Sequence, residues 1–258
     1  MLEPGFILVN RYEIRKILGT GGSSCVYLAY DREKCRNRAV KELDRPRNVS
    51  VHTMEHQEAE LIRKLRYPYF PEIEEVTEQG EKYYIVMEYL EGETLAQILE
   101  RLGPQPWRQV VSWAKDLCLV LDYLHHCRPP VIYRDIKPAN IMLQSGGNLR
   151  LLDFGAALEL AGQEDSVSLG TRGYAAPEQL AGEPVDARTD IYSLGATMYH
   201  LLTGKDPCRF PCGQYSIRRW NRRLPRKLAG IVRKCTRSRP EERYSSCGAL
   251  RADLLPWV

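Results

Sequence analysis

Between Tyr133 and Gly155 the chain reads YRDIKPANIMLQSGGNLRLLDFG, placing Asp135, Lys137, Asn140 and Asp153 within 23 residues. Short apolar runs of strand length separate them, as expected for a loop followed by a small hairpin. Asp135 is suited to accept a proton from a hydroxyl, and Lys137 to face a phosphoryl group in transfer. Asn140 and Asp153 are suited to hold a divalent metal through oxygen. Mg²⁺ is a hard cation that takes carboxylate and amide oxygens together with substrate phosphates, so a sparse ligand set is enough.

Elements on both sides must position these residues. YEIRKIL, from Tyr12, reads as a strand, followed by GTGGSS and a second strand, CVYLAY. Strand, glycine turn and strand excludes the dinucleotide-binding use of a glycine-rich loop, which opens a helix. Ala39-Val40-Lys41 lies in the next strand. TMEHQEAELIRKL, from Thr53 to Leu65, has helical periodicity and carries Glu55, Glu58 and Glu60. KYYIVMEYL is a strand leading to Glu91-Gly92. Pro106 opens a long helix in which Trp107, Val110, Val111, Ala114, Leu117, Cys118, Leu121 and Leu124 recur at spacings of three and four, ending near His125 and His126. DIYSLGATMYHLLTG reads as a buried helix stopped by Gly204. The segment between Asp153 and Glu178 is polar and glycine-punctuated in its middle.

Asp135, then Asn140 five positions on, then Asp153-Phe154-Gly155, resembles the catalytic signature of the eukaryotic-type protein kinases. The resemblance runs along nearly the whole chain. It implies an α+β fold with two lobes: a small, mostly antiparallel β lobe over 1–88, a hinge over 89–92 and a larger, mostly α-helical lobe over 93–258. Gly19, Gly21 and Gly22 then let backbone N–H groups approach ATP phosphates, with Ser24 where the family has its third glycine. Lys41 bridges the α- and β-phosphates, in a strand where Arg38 replaces an apolar family residue. Glu58 is its expected helix partner, with Glu55 as the alternative. Leu18, Val26, Ala39 and Met142 wall the adenine, Met87 is the gatekeeper, and the Glu88 carbonyl and Leu90 N–H pair with the base.

The same resemblance assigns Asp135 as catalytic base, Lys137 to the phosphoryl group, and Asn140 and Asp153 to Mg²⁺. Lys137-Pro138 matches the Ser/Thr-specific loop, and Tyr133 stands where His is commoner. Arg134 beside the catalytic Asp goes with control by phosphorylation of the following segment, where Ser166 and Ser168 are candidate sites. Thr171 bonds with the catalytic Asp and Lys to position substrate. Ala176-Pro177-Glu178 is the family's A-P-E, Asp190 caps the catalytic loop's backbone, and Arg243 pairs with Glu178. GTGGSS, VYLAYD and YAAPEQ look most like the bacterial Ser/Thr kinases.

The 258 residues, 43% hydrophobic and 27% charged, describe an ordinary globular chain with no apolar run near the roughly 20 residues of a membrane span. No signal peptide is evident, and eight irregularly spaced cysteines suit reduced thiols. The expected location is the cytoplasm, for this chain or for a longer membrane-anchored protein whose cytosolic domain it is. Net charge is +4, but 13 Lys or Arg and 3 acids between Lys205 and Arg243 make that segment +10 and the remainder −6. Solvated helix faces account for such a segment, and so does a docking surface for acidic partners; nothing points clearly to nucleic acid.

The expected function is ATP- and Mg²⁺-dependent phosphoryl transfer to Ser/Thr hydroxyls of proteins, including the chain's own. The alternative is a catalytically weak or inactive scaffold of the same fold, binding partners through the basic lobe. Ser24 and Tyr133 favour it, and retention of Lys41, Glu58, Asp135, Lys137, Asn140 and Asp153 opposes it. A small-molecule kinase of related fold is disfavoured by A-P-E and Arg243.

Overall fold

The structure is a computed structural model, and it describes residues 1–20, 24–44, 61, 63–65, 67–160, 170–214 and 216–257. Two compact units divide the chain, Met1–Glu91 and Gly92–Val258.

The first unit is a six-stranded antiparallel sheet. Its strands are β1 (Ile7–Leu8), β2 (Tyr12–Thr20), β3 (Ser24–Asp31), β4 (Arg36–Asp44), β5 (Ile73–Gln79) and β6 (Lys82–Glu88), in the spatial order β1-β2-β3-β4-β6-β5. Strand periodicity sorts the side chains onto two faces. Tyr12, Ile14, Tyr27, Ala29, Val40 and Val86 cluster on one, while Ala39, Leu43, Tyr83, Ile85 and Met87 cluster separately with Val26, Ile73 and Val76 packed against them. Lys41 alternates with Ala39 and Leu43 along β4, so it belongs to the face carrying Val26 and Met87.

Charged groups brace the edges of this sheet. Arg38, buried where the resemblance led us to expect an apolar residue, donates to Glu74 at 2.6 Å, and Glu74 also receives Arg36 and Lys34. Arg11 grips both oxygens of Asp31 at 2.9 and 2.7 Å, and the N–H groups of Glu33 and Lys34 donate to the same carboxylate. The Arg11 hydrogen bonds outweigh burial and hold the Asp31 carboxyl down at about 2.

The second unit is mostly helical: α1 (Leu95–Leu102), α2 (Trp107–His125), α3 (Pro177–Ala181), α4 (Ala187–Thr203), α5 (Arg226–Cys235) and α6 (Cys247–Leu254). Helix α2 begins after Pro106 and buries the residues that its periodicity selected, Val110 to Leu124, together with Trp113 and Val120. Each such side chain contributes roughly 1.5–3 kcal/mol relative to remaining exposed. Helix α4 is capped by Asp186 and stops at Gly204, whose φ of 65° lies in the left-handed region that only glycine enters without strain. Short strands complete the unit. β7 (Glu93–Thr94), β9 (Ile141–Leu143) and β10 (Leu149–Leu151) form one sheet in the order β10-β9-β7, and β8 (Val131–Ile132) pairs with β11 (Leu158–Glu159).

No helix among the described residues is long and apolar enough to cross a membrane. All eight cysteines are free thiols.

Candidate active site

The catalytic-loop residues lie between β8 and β9, and helix α4 holds that loop from below. Asp190, fully buried in the first turn of α4, accepts from the backbone N–H groups of Tyr133 at 2.9 Å and Arg134 at 2.7 Å. Seven residues on, two turns along the same helix face, Thr197 donates to the Ile136 carbonyl at 2.9 Å. Arg134 needs this support, because its φ of +65° is a left-handed conformation that costs a non-glycine residue about 1–3 kcal/mol. Gln179 of α3 donates to its carbonyl at 3.0 Å, and its own Nε donates to the Ala156 carbonyl.

Three donors converge on the Asp135 carboxylate. Lys137 Nζ reaches Oδ2 at 2.7 Å, Asn140 Nδ2 the same oxygen at 2.8 Å, and the Thr171 hydroxyl reaches Oδ1 at 2.9 Å. Lys137 Nζ also donates to Thr171 Oγ1 at 2.6 Å, closing a triangle between the loop and the segment that follows Gly170. A carboxylate so held has a fixed orientation.

Hairpin register brings Asn140 and Asp153 together. Ile141 pairs with Leu151, so Asn140 precedes β9 opposite Leu152, which follows β10, and the Leu152 N–H donates to the Asn140 carbonyl at 3.0 Å. Asp153 is the next residue. The Asn140 amide nitrogen is bound to Asp135, which leaves its Oδ1 as an oxygen donor, and an amide oxygen with a carboxylate is a hard donor pair that suits a divalent cation. Phe154 is buried with its ring edge-on to Tyr133, centroids 5.1 Å apart, and anchors the end of the hairpin to the catalytic loop.

Glu178 and Arg243 form a buried bidentate pair at 2.6 and 2.7 Å, with the Thr189 hydroxyl on Glu178 at 2.9 Å. The remaining Arg243 donors go to the carbonyls of Arg188, Arg237 and Ser238. Met142 sits in β9 opposite Thr94, and Gly92 approaches it closely: a Cβ on Gly92 would lie 2.4 Å from the Leu143 carbonyl oxygen. In the first unit Lys41, Ala39 and Met87 are buried, Val26 is partly buried, Leu18 and Gly19 are exposed on β2, Glu88 ends β6, and Leu90 is buried just after it. Gly21, Gly22, Glu58 with its alternative Glu55, Ser166 and Ser168 lie outside the described residues.

Three supporting residues escaped the sequence reading: Gln179, Thr197 and His125. The adjacent histidines ending α2 signal no function by type, yet the His125 side chain is only 6% exposed and its Nε2 lies 2.8 Å from Asp190 Oδ2. Only the packing of α2 against α4 shows this. Because Asp190 serves two backbone donors, Asp190→Asn must turn one N–H toward an amide nitrogen. We expect a loss of about 1–3 kcal/mol, read as a lower urea midpoint at unchanged slope; an unshifted midpoint would contradict the bracing role.

The protein kinase domain model matches residues 12–255. The chain belongs to the protein kinase family. Over 96% of its length this kinase domain is 36% identical to the serine/threonine-protein kinase PknB of Mycolicibacterium smegmatis, and over 95% it is 31% identical to PrkC of Bacillus subtilis. It spans 43% and 40% of those relatives. The kinase domain of PknI from Mycobacterium tuberculosis matches over the whole of both chains with a TM-score of 0.78 at 26% identity. The kinase domain thus has the α+β fold that the resemblance implied. Family membership carries with it the use of ATP and a divalent metal.

Proposed function

We propose that this domain is a serine/threonine protein kinase that moves the γ-phosphoryl group of ATP to protein hydroxyls, its own included. The observation that carries the reading is the Asp135 carboxylate held at once by Lys137, Asn140 and Thr171, with Lys137-Pro138 in the Ser/Thr form of the loop. Asp135 is the base that orients and receives the hydroxyl proton. Lys137 balances charge at the transferring group, and Thr171 fixes both while positioning the segment on which a substrate lies. Asn140 and Asp153 hold Mg²⁺, which supplies charge neutralisation on the phosphates.

In the first unit Lys41 holds the α- and β-phosphates, with Glu58 as its partner. Gly19, Gly21 and Gly22 line the phosphates, Leu18, Val26, Ala39 and Met87 contact the base, and the Glu88 carbonyl and Leu90 N–H pair with it. Residues 1–88 and 93–258 act as the two lobes and 89–92 as the hinge. Phosphorylation of Ser166 or Ser168 would recruit Arg134. The basic segment from Lys205 to Arg243 takes an acidic partner, and the domain works in the cytosol.

Incubation with Mg-ATP tests this directly. Intact-mass spectrometry is expected to show added phosphate, assigned after digestion to the 153–178 segment. At about one hundred times the dissociation constant, Mg-ATP should raise the melting temperature by roughly 5–10 °C. No added mass together with an unmoved melting temperature would replace the enzyme with a kinase-fold scaffold.

A further inference from the structure

Away from these residues, three arginines line a cavity of about 440 Å³ in the second unit. Arg218 comes from the short turn Ile217–Arg219, and Arg226 and Arg233 come from α5. The two α5 arginines are seven positions apart and so share one helix face. Between them Ala229 and Gly230 leave the floor open, and a Cβ on Gly230 would meet nothing within 4 Å. Beyond Gly230 and Arg233 lies a second cavity of about 520 Å³, with Lys234 and Arg237 on its wall beside Glu242.

The charge of the first cavity is unbalanced. Among the described residues no carboxylate lines it. Arg218 Nε is enclosed with no hydrogen-bond partner among the described residues, and its Nη2 makes a 3.4 Å contact with the Arg222 carbonyl. Arg226 and Arg233 are exposed and have no ion pair among the described residues. Guanidinium groups sharing one cavity repel each other, and an anion relieves that repulsion.

A carboxylate offers one charge and two acceptors to three guanidinium forks. A phosphate monoester offers nearly two charges and three oxygens, which suits the planar, bidentate donors of arginine. Outside the cavities, exposed Arg222, Arg223 and Lys227 extend the positive field and steer an acidic chain toward it. We propose that the cavity bounded by Arg218, Arg226 and Arg233 docks a phosphoserine or phosphothreonine side chain of a partner polypeptide. The supply of such side chains by this domain rests on the kinase reading; the binding itself does not.

Fluorescence anisotropy on the full chain tests it, using a synthetic nonapeptide of neutral residues with a central phosphoserine and matched Ser and Glu peptides. We expect the phosphopeptide to bind about tenfold or more tighter than either control. Arg226→Gln with Arg233→Gln should weaken it by about tenfold. Gly230→Leu keeps every charge, projects into open space and is compatible with the helix, so a similar loss from it shows that the cavity matters and not the field. Arg222→Gln with Arg223→Gln, outside both cavities, should change binding by less than about threefold. Equal affinity for the three peptides, or full phosphopeptide binding by Gly230→Leu, overturns the proposal. So does a surface that instead captures phosphatidylserine vesicles through Arg222 and Arg223. A chain that binds the phosphopeptide but takes up no phosphate from Mg-ATP and shows no melting shift with it keeps the docking site and removes the kinase reading, so the two failures are distinguishable.

Discussion

Replacing Asp135 by Asn is expected to lower phosphoryl transfer to a protein hydroxyl by about 100- to 10,000-fold, the range that positioned general bases contribute. The substitution is nearly isosteric, but it removes the negative charge that faces Lys137 Nζ, and its amide nitrogen is accommodated only toward Thr171 Oγ1, with the oxygen kept for Lys137 Nζ and Asn140 Nδ2. The Thr171 hydroxyl must then turn from donor to acceptor, so part of the loss comes from orientation and part from the missing base. Asp135 has no assigned role in holding ATP. The variant's melting temperature should therefore still rise with Mg-ATP, as the wild type's does. Asp153→Ala is the contrasting case, since it takes away the carboxylate assigned to the metal. It should abolish transfer and blunt the Mg-ATP shift together. Turnover by Asp135→Asn within about threefold of wild type, or equal transfer by Asp153→Ala, would remove the proposed division of roles.

The residues proposed for these roles stand out in the sequence because they are few, closely spaced and separated by strand-length apolar runs, and the resemblance to the kinase signature gives them their proposed roles. The hairpin of β9 and β10 and the long helix α2 followed from simple periodicity. What holds the loop was legible only in part. Asp190 was assigned through the resemblance, whereas Gln179 and Thr197 reach the loop from partners 45 and 61 residues away along the chain and His125 reaches Asp190 from 65 residues away, relations that only packing creates. Arg38 shows the opposite limit. Its type argued against a buried strand position, and the cross-strand carboxylate of Glu74 that makes it tolerable lies 36 residues on. The cationic cavity is a third case: the charge excess from Lys205 to Arg243 is countable in the sequence, but its division is not. Arg243 turns inward to Glu178, while Arg226 and Arg233 are left without an ion pair among the described residues.

Arg243→Ala is expected to destabilise the domain by about 3–5 kcal/mol, because it strands a buried carboxylate. The pair is nearly sealed from solvent, with side-chain exposures of 0% for Arg243 and 5% for Glu178. Arg243 also satisfies three backbone carbonyls, so the truncation leaves several acceptors without their donor. At roughly 2–4 °C per kcal/mol for a domain near this size, the melting temperature should fall by about 6–20 °C. The pH dependence separates the lost ion pair from lost packing. Burial pushes the Glu178 carboxyl up, but the Arg243 guanidinium and the Thr189 hydroxyl outweigh it and hold the group below its ordinary value. A carboxylate depressed in the folded state stabilises above its unfolded value of about 4.3, and that contribution fades as pH falls through the folded value. In Arg243→Ala the opposing guanidinium is gone, burial acts alone, and protonating Glu178 relieves the stranded charge. The gap between wild type and variant in urea should therefore be widest near neutral pH, begin to narrow as pH falls through the raised Glu178 value of the variant, and narrow further below about 4.3 as the wild type loses its own contribution. A gap that stays constant from pH 7 to pH 4 would mean that Arg243 acts through packing and its carbonyl contacts, with little contribution from its charge on Glu178.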